Sequence, residues 1–161
     1  GSEMCIRDRY MFAVYEFEFF EDEGWVLAFP FGLEGGTQGR DMAQAVRMAA
    51  DWLKGEVEHS LMNGTPLPSP TFGNTAEHGG IIGVVGVETS LEAIDTVLAS
   101  EAAEMLGVSR GRVSQMLAAG QLEGFRRGRA TFVTRESVKT RLAEAPKAGR
   151  PHREARELVV A

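Results

Sequence analysis

From Met11 the apolar and polar positions alternate with period two: Ala13, Tyr15, Phe17 and Phe19 interleave with Val14, Glu16, Glu18 and Phe20 in a run rich in aromatic residues. Successive side chains of a strand point to opposite faces, so this spacing predicts a β-strand. Glu21-Asp22-Glu23-Gly24 predicts a turn. Trp25, Leu27 and Phe29, set against Val26 and Ala28, predict a second strand stopped by Pro30, and together these make a hairpin. The following GGTQGR is too glycine-rich for a strong strand, and a short third strand around Thr37 completes a meander with a weak edge. With Asp41 as N-cap, Ala43, Val46, Ala50, Leu53, Val57 and Leu61 recur at steps of three and four, flanked by Ala45, Ala49 and Trp52. That predicts an amphipathic helix of about six turns, laid across the sheet with Arg47, Asp51, Lys54, Glu56 and Glu58 outward. Asn63-Gly64 ends it, TPLPSP connects onward, and Ile81, Ile82, Val84, Val85 and Val87 form a nearly continuous apolar run. Such a run predicts a central strand covered on at least one face. The order over residues 11-90 is β-β-β-α-β.

Near Thr96 the composition turns to alanine, arginine and short helical periods. SEAAEMLGVSRGRVSQMLAAG predicts two tightly crossed helices. In this reading Ser100 caps the first, Ala103 is small where the second crosses, Gly107 takes the turn and Val113 plugs the angle. Leu106, Val108, Met116 and Leu117 complete the small core, and Ser109 caps the second helix. Its outward residues are Arg110, Gly111, Ser114, Gln115 and Ala118, with Arg112 toward one flank, a set suited to a major groove. QLEGFRRGRATFVTRESV then predicts a β-hairpin with strands near Leu122 to Phe125 and Ala130 to Val133, and Arg126, Arg127, Gly128 and Arg129 at its tip. Thr134 caps a short helix through Leu142, with Val138 and Leu142 inward.

Charge sharpens this division. Residues 1-98 hold 5 Lys and Arg against 16 Asp and Glu, a net −11, whereas residues 99-161 hold 12 against 7, a net +5. Within 110-141 the balance is 8 against 2, the electrostatic footprint expected for DNA. Two halves of opposite sign suggest two partners of opposite sign. Ser109, Arg110, Arg112, Ser114, Gln115, Arg126, Arg127 and Arg129 are the candidate DNA contacts. With 43% hydrophobic and 25% charged residues the chain folds rather than staying disordered. No stretch approaches the roughly 18 apolar residues of a membrane helix, and no basic-then-apolar leader opens the sequence, so a cytoplasmic protein with no membrane contact is expected. Cys5 is the only cysteine, and His59, His78 and His152 lack ligand spacing, so no disulfide framework, metal site or cofactor is expected. Residues 1-10 read as an expression-tag remnant followed by a non-native extension, which makes Met11 the expected native start. Residues 91-98 are assigned as a linker, 99-144 as the second domain and 145-161 as a flexible tail.

The second domain resembles the winged helix-turn-helix of the excisionase and MerR-like families over residues 97-143, at Ala103, Leu106, Gly107, Val108, Ser109, Val113 and the Gly128 hairpin. The resemblance implies DNA binding by the second helix and the wing, as a homodimer or higher oligomer on a palindromic or repeated operator. Met11 to Thr89 resembles the HicB antitoxin family through its aromatic first strand, acidic turn, WVLAFP strand, GGTQGR segment, DMAQAVRMAADWL helix and final apolar strand. That resemblance implies a partial RNase H-like fold without nuclease activity that clamps HicA, a basic toxin ribonuclease acting on messenger RNA. The C-terminal domain would then repress the toxin-antitoxin operon. The overall expectation is an α+β protein: a β-β-β-α-β partial RNase H-like domain followed by a winged helix-turn-helix. Two departures stand out. Pro30-Phe31-Gly32-Leu33-Glu34-Gly35-Gly36 replaces a Pro-Gly-Cys-like turn, and the C-terminal half is winged rather than ribbon-helix-helix, so operator geometry does not carry over from ribbon-type relatives.

Candidate toxin contacts are Glu21, Asp22, Glu23, Trp25, Phe31 and Glu34. An Mg²⁺ nuclease would need converging carboxylates. Glu16 and Glu18 share a strand face, but acids alternating with apolar residues are read as the solvated side of a sheet, and no Ser, Cys or His sits in a nucleophile context. An enzyme is therefore not expected. The alternative is a free-standing helix-turn-helix regulator with an N-terminal ligand-binding or dimerisation domain.

Overall fold

In the computed structural model, which describes residues 11-144, the alternating run becomes one twelve-residue strand, β1 (Met11–Asp22). The expected tag and the expected tail at 145-161 lie outside the described residues. β1 turns into β2 (Trp25–Pro30) with Asp22 opposite Trp25, so Glu23 and Gly24 alone form the turn. Their φ angles of 48° and 83° are both positive, as a type I′ hairpin turn requires. β3 (Thr37–Gly39) pairs with β2, and β4 (Ile81–Thr89) pairs with the other side of β1. The sheet is antiparallel throughout, in the order β3-β2-β1-β4. α1 (Met42–Asn63) begins where the Asp41 carboxylate accepts the Gln44 N–H at 2.7 Å, and ends at Gly64 with φ 65°.

α1 covers one face of the sheet, packing Ala45, Ala49, Leu53 and Val57 onto Ala13, Tyr15, Phe17, Phe19, Val26, Ala28 and Val85. The buried stripe is rotated from the predicted one, because Ala43 and Val46 are exposed while Ala45 and Ala49 are buried. Close approach explains the rotation: a Cβ on Gly39 would lie 2.4 Å from the Ala45 backbone nitrogen, so only the smallest residues fit at this end of the helix. β4 also departs from expectation. Its apolar sequence predicts a central strand, yet it lies at the edge of the sheet.

Glu16 and Glu18 are not solvated. They point away from α1, are 8% and 2% exposed, and lie beneath the connector between α1 and β4. That connector starts on the helix side, where Leu67 packs on the core and the Tyr15 hydroxyl donates to the Pro68 carbonyl, and then crosses to the opposite face. There Glu16 accepts the Gly73 N–H at 2.9 Å, the Asn74 N–H at 3.0 Å and the Asn74 side-chain amide at 2.8 Å. Glu18 accepts the N–H groups of Glu77, His78 and Gly80 at 2.9, 2.7 and 3.1 Å, and the His78 Nδ1–H at 3.0 Å. The His78 ring stacks on Phe20 at 4.2 Å and meets the edge of Phe29 at 6.1 Å.

Contacts divide the chain between Asp95 and Thr96, and the second unit has its own sheet. β5 (Thr96–Leu98), β6 (Gly124–Arg127) and β7 (Ala130–Thr134) pair antiparallel in the order β5-β7-β6. The helices of this unit are α2 (Ala99–Leu106), α3 (Arg110–Ala118) and α4 (Arg135–Glu144). The segment assigned as a linker is thus partly ordered structure: Leu91–Ala93 makes a 3₁₀ turn, and Val97 of β5 is buried in the second core. No helix among the described residues is long and apolar enough to cross a membrane.

Burial pushes the Glu18 carboxyl up, but the donors from Glu77, His78 and Gly80 outweigh it and bring it from 4.5 down to about 2. The Asn74 and Gly73 N–H groups and the Asn74 amide likewise lower Glu16. A carboxyl whose folded pKa lies below its unfolded value adds stability that is present above about 4.5 and drains as the pH falls toward about 2. Thermal melts should therefore lose stability through that window. Glu18→Gln is expected to lower the melting temperature at pH 7 and to flatten the acid limb, and an unchanged limb would remove Glu18 as the group responsible.

Candidate nucleic-acid interface

β5 leads straight into α2, so the helix starts at Leu98 rather than at the predicted Ser100. The Leu98 N–H donates to the Glu101 carboxylate at 2.8 Å, and Ser100 falls inside the first turn. α2 ends at Gly107, whose φ of 66° suits a left-handed C-cap. The N–H groups of Gly107 and Val108 reach back to the carbonyls of Glu104 and Ala103 at 3.2 and 3.0 Å. Ser109 then accepts the Arg112 N–H at 3.1 Å and opens α3, leaving only Gly107, Val108 and Ser109 between the helices. Ala102, Ala103, Val113 and Met116 close the crossing over Val97, Leu122, Val133 and Val138, with Leu106, Val108 and Leu117 at its margin. Leu142, expected inward, is 45% exposed, so Val138 alone anchors α4 in this core.

With Val113 and Met116 turned inward, α3 exposes Arg110, Gly111, Arg112, Ser114, Gln115 and Ala118. The Arg112 guanidinium donates to the Gln115 side-chain oxygen at 3.3 Å, so two groups able to bond base edges are aligned on one flank. The wing differs slightly from expectation. Arg127 pairs with Ala130, so the tip is only Gly128-Arg129, while Arg126 and Arg127 belong to β6 and point to opposite faces. Arg126 and Arg129 are exposed and Arg127 is half-buried. Phe125 and Phe132 stack across the two strands at 5.4 Å, stiffening the hairpin that carries the arginines.

The residues expected to meet a toxin are not brought together. Glu21, Asp22, Glu23 and Trp25 are exposed around the β1–β2 tip. Phe31 and Glu34 lie beyond the other end of β2, roughly 20 Å away along a strand that rises about 3.3 Å per residue. Sequence reading also missed the connector's grip on Glu16 and Glu18. Its one visible signal is the donor-rich, glycine-spaced segment FGNTAEHGG.

Residues 99–146 match the family model described as a helix-turn-helix domain. The C-terminal unit is thus a DNA-binding helix-turn-helix domain, carried on an α+β chain. No curated protein and no solved structure matches the chain.

Removing the α3 cap by Ser109→Ala should cost the unit about 1 kcal/mol. Gly107→Ala, which forces a side chain into the left-handed region, should cost at least about 1 kcal/mol. Urea unfolding followed by circular dichroism measures both, and losses within error would mean that the turn geometry is not what holds the helices crossed.

Proposed function

We propose that this protein is a transcription regulator of the HicB antitoxin type: the C-terminal unit grips operator DNA, and the acidic N-terminal unit holds a basic HicA-like toxin ribonuclease. The observation that carries the DNA half is α3, whose open side offers Arg110, Arg112, Ser114 and Gln115 beside a hairpin bearing Arg126, Arg127 and Arg129. A helix of this composition enters a major groove and bonds base edges, while the wing arginines hold phosphates and release counterions. The N-terminal unit repels the same phosphates, and its charge favours a cationic polypeptide, speeding encounter and selecting partners. Supporting that half are the resemblance of Met11 to Thr89 and the exposed acids and Trp25 at the hairpin tip. In this reading the unit works by binding, and the two carboxylates that share a strand face hold the connector. In such a regulator a dimer reads a two-fold operator.

Fluorescence anisotropy with a labelled duplex from the protein's own promoter tests the DNA half. Arg112→Ala and Gln115→Ala should each remove about 1–3 kcal/mol of discrimination against a scrambled duplex. Arg129→Ala should weaken both duplexes alike and reduce the salt slope by about one unit. A full-length protein that ignores its upstream DNA at low salt ends the proposal. For the second half, co-expression with a short basic protein encoded beside it should give a complex that co-purifies and restores growth. Growth arrest without a complex would leave a free-standing regulator.

A further inference from the structure

We infer that the outer edge of β4 pairs with β4 of a second copy of this chain, joining two four-stranded sheets into one antiparallel sheet across a two-fold axis. β4 is nine residues long and ends its sheet, so one full row of its backbone N–H and C=O groups faces outward. Among the described residues no strand pairs with that row. Edges of this length are normally protected by charge, proline or a bulge. Ile81 to Val87 contains only isoleucine, glycine and valine, and its register with β1 runs unbroken from Met11 opposite Thr89 to Phe19 opposite Ile81. The sequence has the composition of an interior strand, and the described residues leave it at the rim; one more strand removes the conflict.

The side chains agree. Phe12, Ile81 and Val84 are 64%, 64% and 63% exposed. Phe12 and Val84 share the sheet face turned away from α1, where the Phe12 ring lies over Gly86. Extending the sheet sets this apolar strip beside its own copy. Charge selects the occupant. The run from Ile81 to Val87 carries no charge, so a cationic strand laid along it meets no acid before Glu88, whereas an identical uncharged strand matches it throughout. A strand meeting its own copy antiparallel, with Val84 opposite the Val84 of that copy, is self-complementary and keeps the two Glu88 side chains at opposite ends of the contact. The inference rests on the N-terminal fold alone and holds whatever the C-terminal unit binds.

Sedimentation of the full chain at tens of micromolar reads the assembly. Wild type is expected as a dimer or a higher even oligomer, and Val84→Lys should halve the mass or weaken association at least tenfold, with an unchanged circular dichroism spectrum. Lysine reduces the net charge of −6, so weaker association is not a result of general repulsion. Location is read separately by mild oxidation. The Cys5→Ser/Val84→Cys chain should form a disulfide-linked dimer, whereas Cys5→Ser/Val46→Cys, with its thiol on the outer side of α1, should not. A monomeric wild type overturns the inference, as does an oligomer indifferent to Val84→Lys that also fails to cross-link. So does a monomer holding a basic polypeptide that Val84→Lys releases.

Discussion

The N-terminal unit depends on two carboxylates placed where a sheet would ordinarily meet water. Glu16 and Glu18 sit mid-strand on the face opposite α1, and seven N–H donors of the connector close on them. An ionised carboxylate buried alone would be costly, and a loop with unpaired N–H groups would be costly too. Each satisfies the other. The connector is thereby fixed on the second face, and Gly80 delivers the chain to Ile81 in register with Phe19. Without those anchors β1 would keep a helix on one side and charged residues in water on the other, and β4 would lack its guide.

The C-terminal unit is assembled differently, from short-range contacts. Its helix ends are set by Glu101, Gly107 and Ser109 acting within four residues of themselves, and its core is eight buried side chains. Small residues at Ala102 and Ala103 let α3 cross α2 closely, and the inward turn of Val113 and Met116 commits the remaining α3 residues to solvent. The surface offered to DNA is therefore a geometric consequence of the core. The same holds for the wing, where the Phe125–Phe132 stack fixes strands whose other positions carry arginine.

Opposite charge on the two units separates their tasks. An acidic body repels phosphate from its own surface and leaves nucleic acid to the basic unit. Within that body the run from Ile81 to Val87 is uncharged.

Local rules made much of the protein legible. Period-two alternation from Ala13 to Phe19, the Glu23-Gly24 turn, the Asp41 and Ser109 caps and the Gly107 stop all act over a few residues, so sequence alone determined the strands, the hairpins and the crossed helices. The rest required partners distant in sequence. Alternation places Glu16 and Glu18 on a face without saying whether water or a connector some sixty residues away covers it. The buried stripe of α1 was decided by the approach of Gly39 to Ala45, and the start of α2 by β5 running into it. An apolar strand carries no mark of whether it lies inside a sheet or at its rim, because burial is set by which neighbours arrive; for β4 only the assembled sheet could decide.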